Sequence, residues 1–223
     1  MRLIKEVRMA ALNKNQFTRP NRKRYSQRTP ETRKMYSRIF VVMEGSKTEP
    51  NYLRNLQALF PRIKFEIVRT GSHSAPDNIV KKIRETIKSD LRDKGRNAKR
   101  DKAFLIFDDD GRMPKEFEKA ISWRDSDPEN NYIVLSRPCF EIWLLYHFDD
   151  CVGIQTKKEC VERLKDYLPN YEKDYRRTFT EEEVSKAMTR ALSRCNDFDA
   201  AFNNQAACSA MGAFIKLLYQ LNK

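Results

Sequence analysis

The sequence predicts an α/β fold: a mostly parallel sheet of about four strands flanked by helices, with a helical final third and a flexible basic arm in front. Three observations carry that prediction. Short apolar runs of strand length alternate with longer segments of helical period, which is the pattern of βαβ units. No strand-like run follows Asp150. The positive charge is crowded into the first 38 residues, which hold twelve Lys and Arg against only Glu6 and Glu31. The resulting division is an arm over 1–36, an α/β core over 37–150 and a helical region over 151–223 packed on that core.

Each element follows in order. Residues 39–43 form a compact apolar run that ends at Glu44-Gly45 and reads as a buried strand. Thr48, Glu49 and Pro50 open a helix whose apolar positions are Leu53, Leu56, Leu59 and Phe60. Residues 63–68 alternate as a second strand, broken by Thr70-Gly71-Ser72. After Pro76, the stripe Ile79, Val80, Ile83, Ile87 and Leu91 has helical spacing. A polar stretch leads to Ala103-Phe-Leu-Ile-Phe107, a third buried strand that runs into Asp108-Asp-Asp-Gly-Arg112. Residues 114–121 predict a short helix and 132–135 a fourth strand, and Pro138 starts an apolar helix through Trp143, Leu144 and Leu145. Thr180 and Glu183 form a capping box ahead of Val184, Ala187, Met188 and Ala191. Met211, Phe214, Ile215 and Leu218 mark a last amphipathic helix.

Composition narrows the function. At 40% hydrophobic and 11% aromatic, the chain can fill a core. It has no run of eighteen apolar residues to cross a bilayer and no apolar signal-peptide segment at its start. Five cysteines form no CxxC pair and there are two histidines, so a zinc ribbon or finger lacks ligands. The expected setting is cytoplasmic, with reduced thiols. The arm carries Arg19, Arg22, Lys23, Arg24 and Arg28 around two prolines, with Tyr25 and Tyr36 available to stack on bases. Such a segment either stays a solvated tail or contacts polyphosphate in a salt-dependent way. A membrane surface is disfavoured because no large apolar face accompanies the charge.

The chemistry-bearing residues lie where strands end. Ligand sites of open α/β sheets sit beyond the carboxyl ends of the strands. If extended backbone persists past Phe107, Asp108 and Asp110 project to one side and Asp109 to the other. Two carboxylates held that close call for a cation, and an all-oxygen site suits Mg²⁺ or Mn²⁺. A solvated acidic turn is the alternative. Glu44 ends the other strongly apolar strand and shares that sheet edge, so it can complete a metal site or move a proton. Lys47, three residues on, can neutralise phosphate charge or be a plain surface lysine. Glu49 fits a helix N-terminus on charge grounds alone. Glu141, in the first turn of the apolar helix, faces the same edge as a third metal ligand or a helix-dipole carboxylate. His147 and Cys139 read as packed residues. Gly45-Ser-Lys-Thr48 superficially resembles a P-loop but lacks its GxxxxGK[ST] spacing.

Three blocks together resemble the RloB family of bacterial defence proteins, whose core is similar to a Toprim domain. They are Glu44-Gly-Ser-Lys-Thr-Glu-Pro-Asn-Tyr52, Phe107-Asp-Asp-Asp110 and Ser136-Arg-Pro-Cys-Phe-Glu141-Ile-Trp-Leu-Leu-Tyr-His-Phe148. The first and third are long and specific; Asp-x-Asp alone would not be. Tyr171-Glu-Lys173 falls where the family has a later lysine, and Asn204-Gln-Ala-Ala207 departs from its Asn-Pro-Ser-Thr-like helix entry. The resemblance implies a metal-dependent phosphoryl-transfer centre, with Glu44 in acid/base chemistry and Asp108 and Asp110 on Mg²⁺. It gives Glu141 the added acidic role seen in nucleases of the overcoming-lysogenisation-defect type. It also implies an AAA- or ABC-type ATPase partner in abortive infection.

The expected function is therefore a Mg²⁺- or Mn²⁺-dependent nuclease acting on DNA or RNA. Lys47 or Arg112 would steady the phosphate and the arm would add affinity. The rival is a non-catalytic nucleic-acid-binding sensor or scaffold for an ATPase, docking through the helix after Pro138 and the last helix.

Overall fold

The computed structural model describes residues 37–70, 75–94, 101–111, 114–172 and 177–223. The arm with Arg19, Arg22, Lys23, Arg24 and Arg28 lies outside the described residues, as do Arg112 and Lys173.

Among the described residues, five strands form one sheet in the order β2-β1-β3-β4-β5: β1 Ser37–Met43, β2 Ile63–Arg69, β3 Lys102–Asp108, β4 Asn131–Arg137 and β5 Cys208–Ser209. The first four run parallel, with Val41 opposite both Ile67 and Phe104, and Ile106 opposite Val134. Continuous apolar runs such as Phe-Val-Val-Met and Ala-Phe-Leu-Ile-Phe suit central strands covered on both faces, and these residues are buried. Phe104 packs edge-on against Phe214, whereas Phe107, on the opposite face, packs against Phe117. β5 is a strand that the sequence pattern does not reveal, and the helices at Lys157–Tyr167 and Ala200–Asn203 fall in the region read only as helical overall. β5 is antiparallel, pairing Ser136 with Ser209 and Arg137 with Cys208, and two residues are too few to show a period.

The helices are α1 Thr48–Leu59, α2 Pro76–Lys94, α3 Glu118–Asp125, α4 Glu141–Leu145, α5 Lys157–Tyr167, α6 Glu181–Arg194, α7 Ala200–Asn203 and α8 Met211–Leu221, with a 3₁₀ turn at Pro114–Phe117 before α3. The segment predicted as one short helix from Pro114 is thus a 3₁₀ turn followed by α3, and α4 begins three residues after Pro138. α2 packs on β1 and β3, α8 on β4, and α6 on α8. Both faces the rival reading would use for docking are interior: Trp143, Leu144, Leu145, Phe214, Ile215 and Leu218 are fully buried. No helix among the described residues is long and apolar enough to cross a membrane.

Candidate active site

Because β1, β3 and β4 are parallel, their carboxyl ends open at one sheet edge. A cavity of about 370 Å³ lies there, lined by Glu44 to Glu49, Asp108, Asp110, Phe140, Glu141 and Lys157. Among the described residues it gathers five carboxylates against two lysines.

Glu44 follows β1 directly. Its N–H donates to the Ile106 carbonyl at 3.2 Å, which carries the ladder one residue past Met43 and sets Glu44 beside the end of β3. Asp108 is the last residue of β3. The chain then turns: Asp109 N–H donates to Ser136 O at 2.8 Å and Asp110 N–H to Pro138 O at 3.3 Å. Asp110 takes a left-handed φ of 44° and Gly111 one of 72°, a conformation that Asp tolerates and Gly favours. The extended backbone expected past Phe107 therefore ends at Asp108. Asp108 and Asp110 still share the cavity, but a turn brings Asp110 there. Asp109 points elsewhere and accepts a hydrogen bond from Arg137 Nη2 at 3.1 Å.

The start of α1 contributes Lys47 and Glu49. Lys47 is exposed on the cavity lining at the N-cap position. Glu49 is buried and its carboxylate folds back over Gly45, accepting from the Gly45 N–H and from its own N–H. A Cβ on Gly45 would stand 1.9 Å from Glu49 Oε2, so this close approach requires glycine. Glu141 opens α4; it is buried, and its Oε1 accepts from the Tyr171 hydroxyl at 2.9 Å. Lys157 opens α5. A capping box fixes that end of the helix: Thr156 Oγ1 accepts from Glu159 N–H at 3.2 Å, and Glu159 Oε2 from Thr156 N–H at 3.1 Å. The Lys157 ammonium donates to Asp110 Oδ1 at 3.0 Å and stands 3.9 Å from Asp108 Oδ2.

The electrostatics follow from burial and crowding. Burial, with the charges of Glu141 and Glu44 adding to it, pushes the Glu49 carboxyl up to about 7. Burial likewise holds Asp108 well above the usual carboxylate range, reinforced by Glu49 and Glu141 and opposed by Lys157. Burial works against the Lys157 ammonium, but the hydrogen bond to Asp110 and the charges of Asp108 and Asp110 outweigh it and raise its pKa. Among the described residues, no three carboxylate, histidine or cysteine side chains already stand close enough to chelate an ion.

Glu49 and Lys157 are lining residues that the sequence did not single out. The Thr156-Lys-Lys-Glu159 capping pattern marks a helix start and could have drawn notice to Lys157. Glu49 had a signal too, a second acid five residues after Glu44, which a plain helix-dipole role explains equally well. Cys139 is buried, and its thiol is pushed up by a hydrogen bond with Cys160 and by burial, which suits a core residue. His147 lies outside the lining, held by Trp143, Leu144 and Tyr52.

Fold and site together define an α/β protein with a mostly parallel sheet and an acidic pocket beyond the carboxyl ends of its parallel strands. The chain belongs to the RloB-like protein family, whose model matches residues 39–218. No curated protein and no solved structure matches it.

Proposed function

We propose that the chain is a Mg²⁺- or Mn²⁺-dependent nuclease that hydrolyses phosphodiester bonds in DNA or RNA, working in antiviral defence with an AAA- or ABC-type ATPase. The observation that supports this most is the convergence of Glu44, Glu49, Asp108, Asp110 and Glu141 on one cavity at the sheet edge. The donor set fits a hard divalent ion, because the candidate ligands are carboxylate oxygens and, among the described residues, no sulfur or imidazole lines the cavity. Asp108 and Asp110 would hold the ion, and Glu49 and Glu141 add oxygen donors. When bound, it supplies charge neutralisation at a phosphate and acidifies a coordinated water.

The chain's own residues do the rest. Glu44, half-buried beside Asp108, takes a proton from the attacking water or completes the ion's shell. Lys47, exposed on the lining, meets the negative phosphate and offsets charge that grows in the transition state. Arg112 can also steady the phosphate, and the basic residues of the arm add non-specific, salt-dependent affinity for the polymer.

The test is a cleavage assay on plasmid DNA and total transfer RNA with Mg²⁺, Mn²⁺ or EDTA. It compares the wild type with Asp108→Ala/Asp110→Ala, with and without a neighbouring ATPase. Cleavage that vanishes in EDTA and is abolished in the variant is the expected result. Full activity in the variant would overturn the mechanism. No cleavage by folded protein under any condition would leave nucleic-acid binding without turnover.

A further inference from the structure

A cation that stands among the acids of the pocket is supplied by the chain itself. Lys157 reaches in from the first position of α5, hydrogen-bonded to Asp110 and near Asp108. The backbone that carries it is held by the capping box of Thr156 and Glu159. The adjacent Lys158 turns to solvent and pairs with Glu162 at 3.9 Å. We propose that Lys157 is a tethered counter-cation of the metal-free pocket, and that a divalent ion must displace its ammonium from Asp110 and Asp108. This rests on the reading of those two aspartates as metal ligands.

Two physical facts favour the exchange. Mg²⁺ binds carboxylate oxygen at about 2.0–2.1 Å. An ion that close to Asp110 Oδ1 would face an ammonium already 3.0 Å from the same atom, and two cations in contact repel. The partners also differ in freedom. The Lys157 side chain is 42% exposed and its four-carbon stem can swing the ammonium into water, whereas the two carboxylates sit on short side chains fixed to the backbone, Asp108 (14% exposed) at the end of β3 and Asp110 (36%) in the turn after it. Lysine leaves and the aspartates remain. The lysine thus moderates acid–acid repulsion without metal, and its presence weakens metal affinity.

The experiment is a Mn²⁺ titration followed by electron paramagnetic resonance. It covers the wild type, Lys157→Met, Lys157→Arg and Asp108→Asn/Asp110→Asn, each checked for fold by circular dichroism. Lys157→Met should bind Mn²⁺ about tenfold tighter than the wild type, because the competing cation is gone. Lys157→Arg should stay near the wild type, and the double asparagine variant should lose the site. Equal or weaker binding by Lys157→Met would overturn the displacement. Binding by neither the wild type nor Lys157→Met would instead overturn the metal reading beneath it. In the unaltered protein, the ¹⁵N signal of the Lys157 ammonium should move to a solvent-exposed position when Mg²⁺ is added. An unmoved signal at saturating Mg²⁺ would contradict the exchange.

Discussion

His147 and Glu49 are both buried titratable side chains, and burial shifts each toward its neutral form by a different route. His147 sits among rings, with Nδ1 at 3.1 Å and 3.2 Å from the Trp143 and Leu144 carbonyls and Nε2 at 3.2 Å from the Tyr52 hydroxyl. One ring nitrogen donates and the other accepts, so the neutral imidazole is satisfied, and burial pushes its pKa down to about 4. Glu49 accepts two backbone N–H bonds that favour its charge, yet burial and the neighbouring acids push it up to about 7. The aromatic cluster is matched to the protonation state it holds. The pocket is not, because its acids share a space in which their charged forms repel. That mismatch is what separates a site from a satisfied core.

The comparison can be broken most severely at the cluster. Trp143 is fully buried and edge-on to both Tyr52 and His147. Replacing it with Ala should lower stability by about 3–5 kcal/mol in urea denaturation. A loss below about 1 kcal/mol would show that the cluster is not the packed unit described.

A smaller effect sharpens the comparison, because the two buried groups give opposite pH slopes. Between its ordinary 4.5 and about 7, Glu49 binds more proton folded than unfolded. Its contribution is therefore complete below 4.5 and is lost as pH rises through 7. His147 binds more proton unfolded between about 4 and 6.5, so its contribution is complete above 6.5 and is lost as pH falls through 4. Each effect is limited to about 3 kcal/mol. Urea midpoints of metal-free protein from pH 4 to 8 should show Glu49→Gln reducing the alkaline decline, to which Asp108 also contributes, and His147→Gln reducing the acid one. If both variants kept the wild-type profile, neither group would be titrating as described.

Much of the architecture was legible, for reasons visible at particular residues. The apolar runs at Phe40 to Met43 and Ala103 to Phe107 are continuous because those strands are covered on both faces, and only such burial tolerates them. Glu44, Asp108 and Glu141 could be brought to one edge from sequence, since parallel strands present their carboxyl ends together. What escaped depends on tertiary placement. β5 exists because the edge of β4 accepts Cys208 and Ser209, with nothing local to announce it. Lys157 has a local pattern that says only that a helix begins, and the docking of α5 against α4 accompanies its arrival in the pocket. Glu49 looks the same in sequence whether it complements a helix dipole or folds over Gly45 into a crowd of acids.

That the acidic pocket is a seat for a divalent cation is tested most directly by titrating metal-free protein with Mn²⁺ at pH 8 and following the urea midpoint. The predicted result is a saturable rise, about 2.7 kcal/mol at a hundredfold excess over Kd, that is absent from Asp108→Ala/Asp110→Ala. A wild-type midpoint that stays flat across the titration would contradict it.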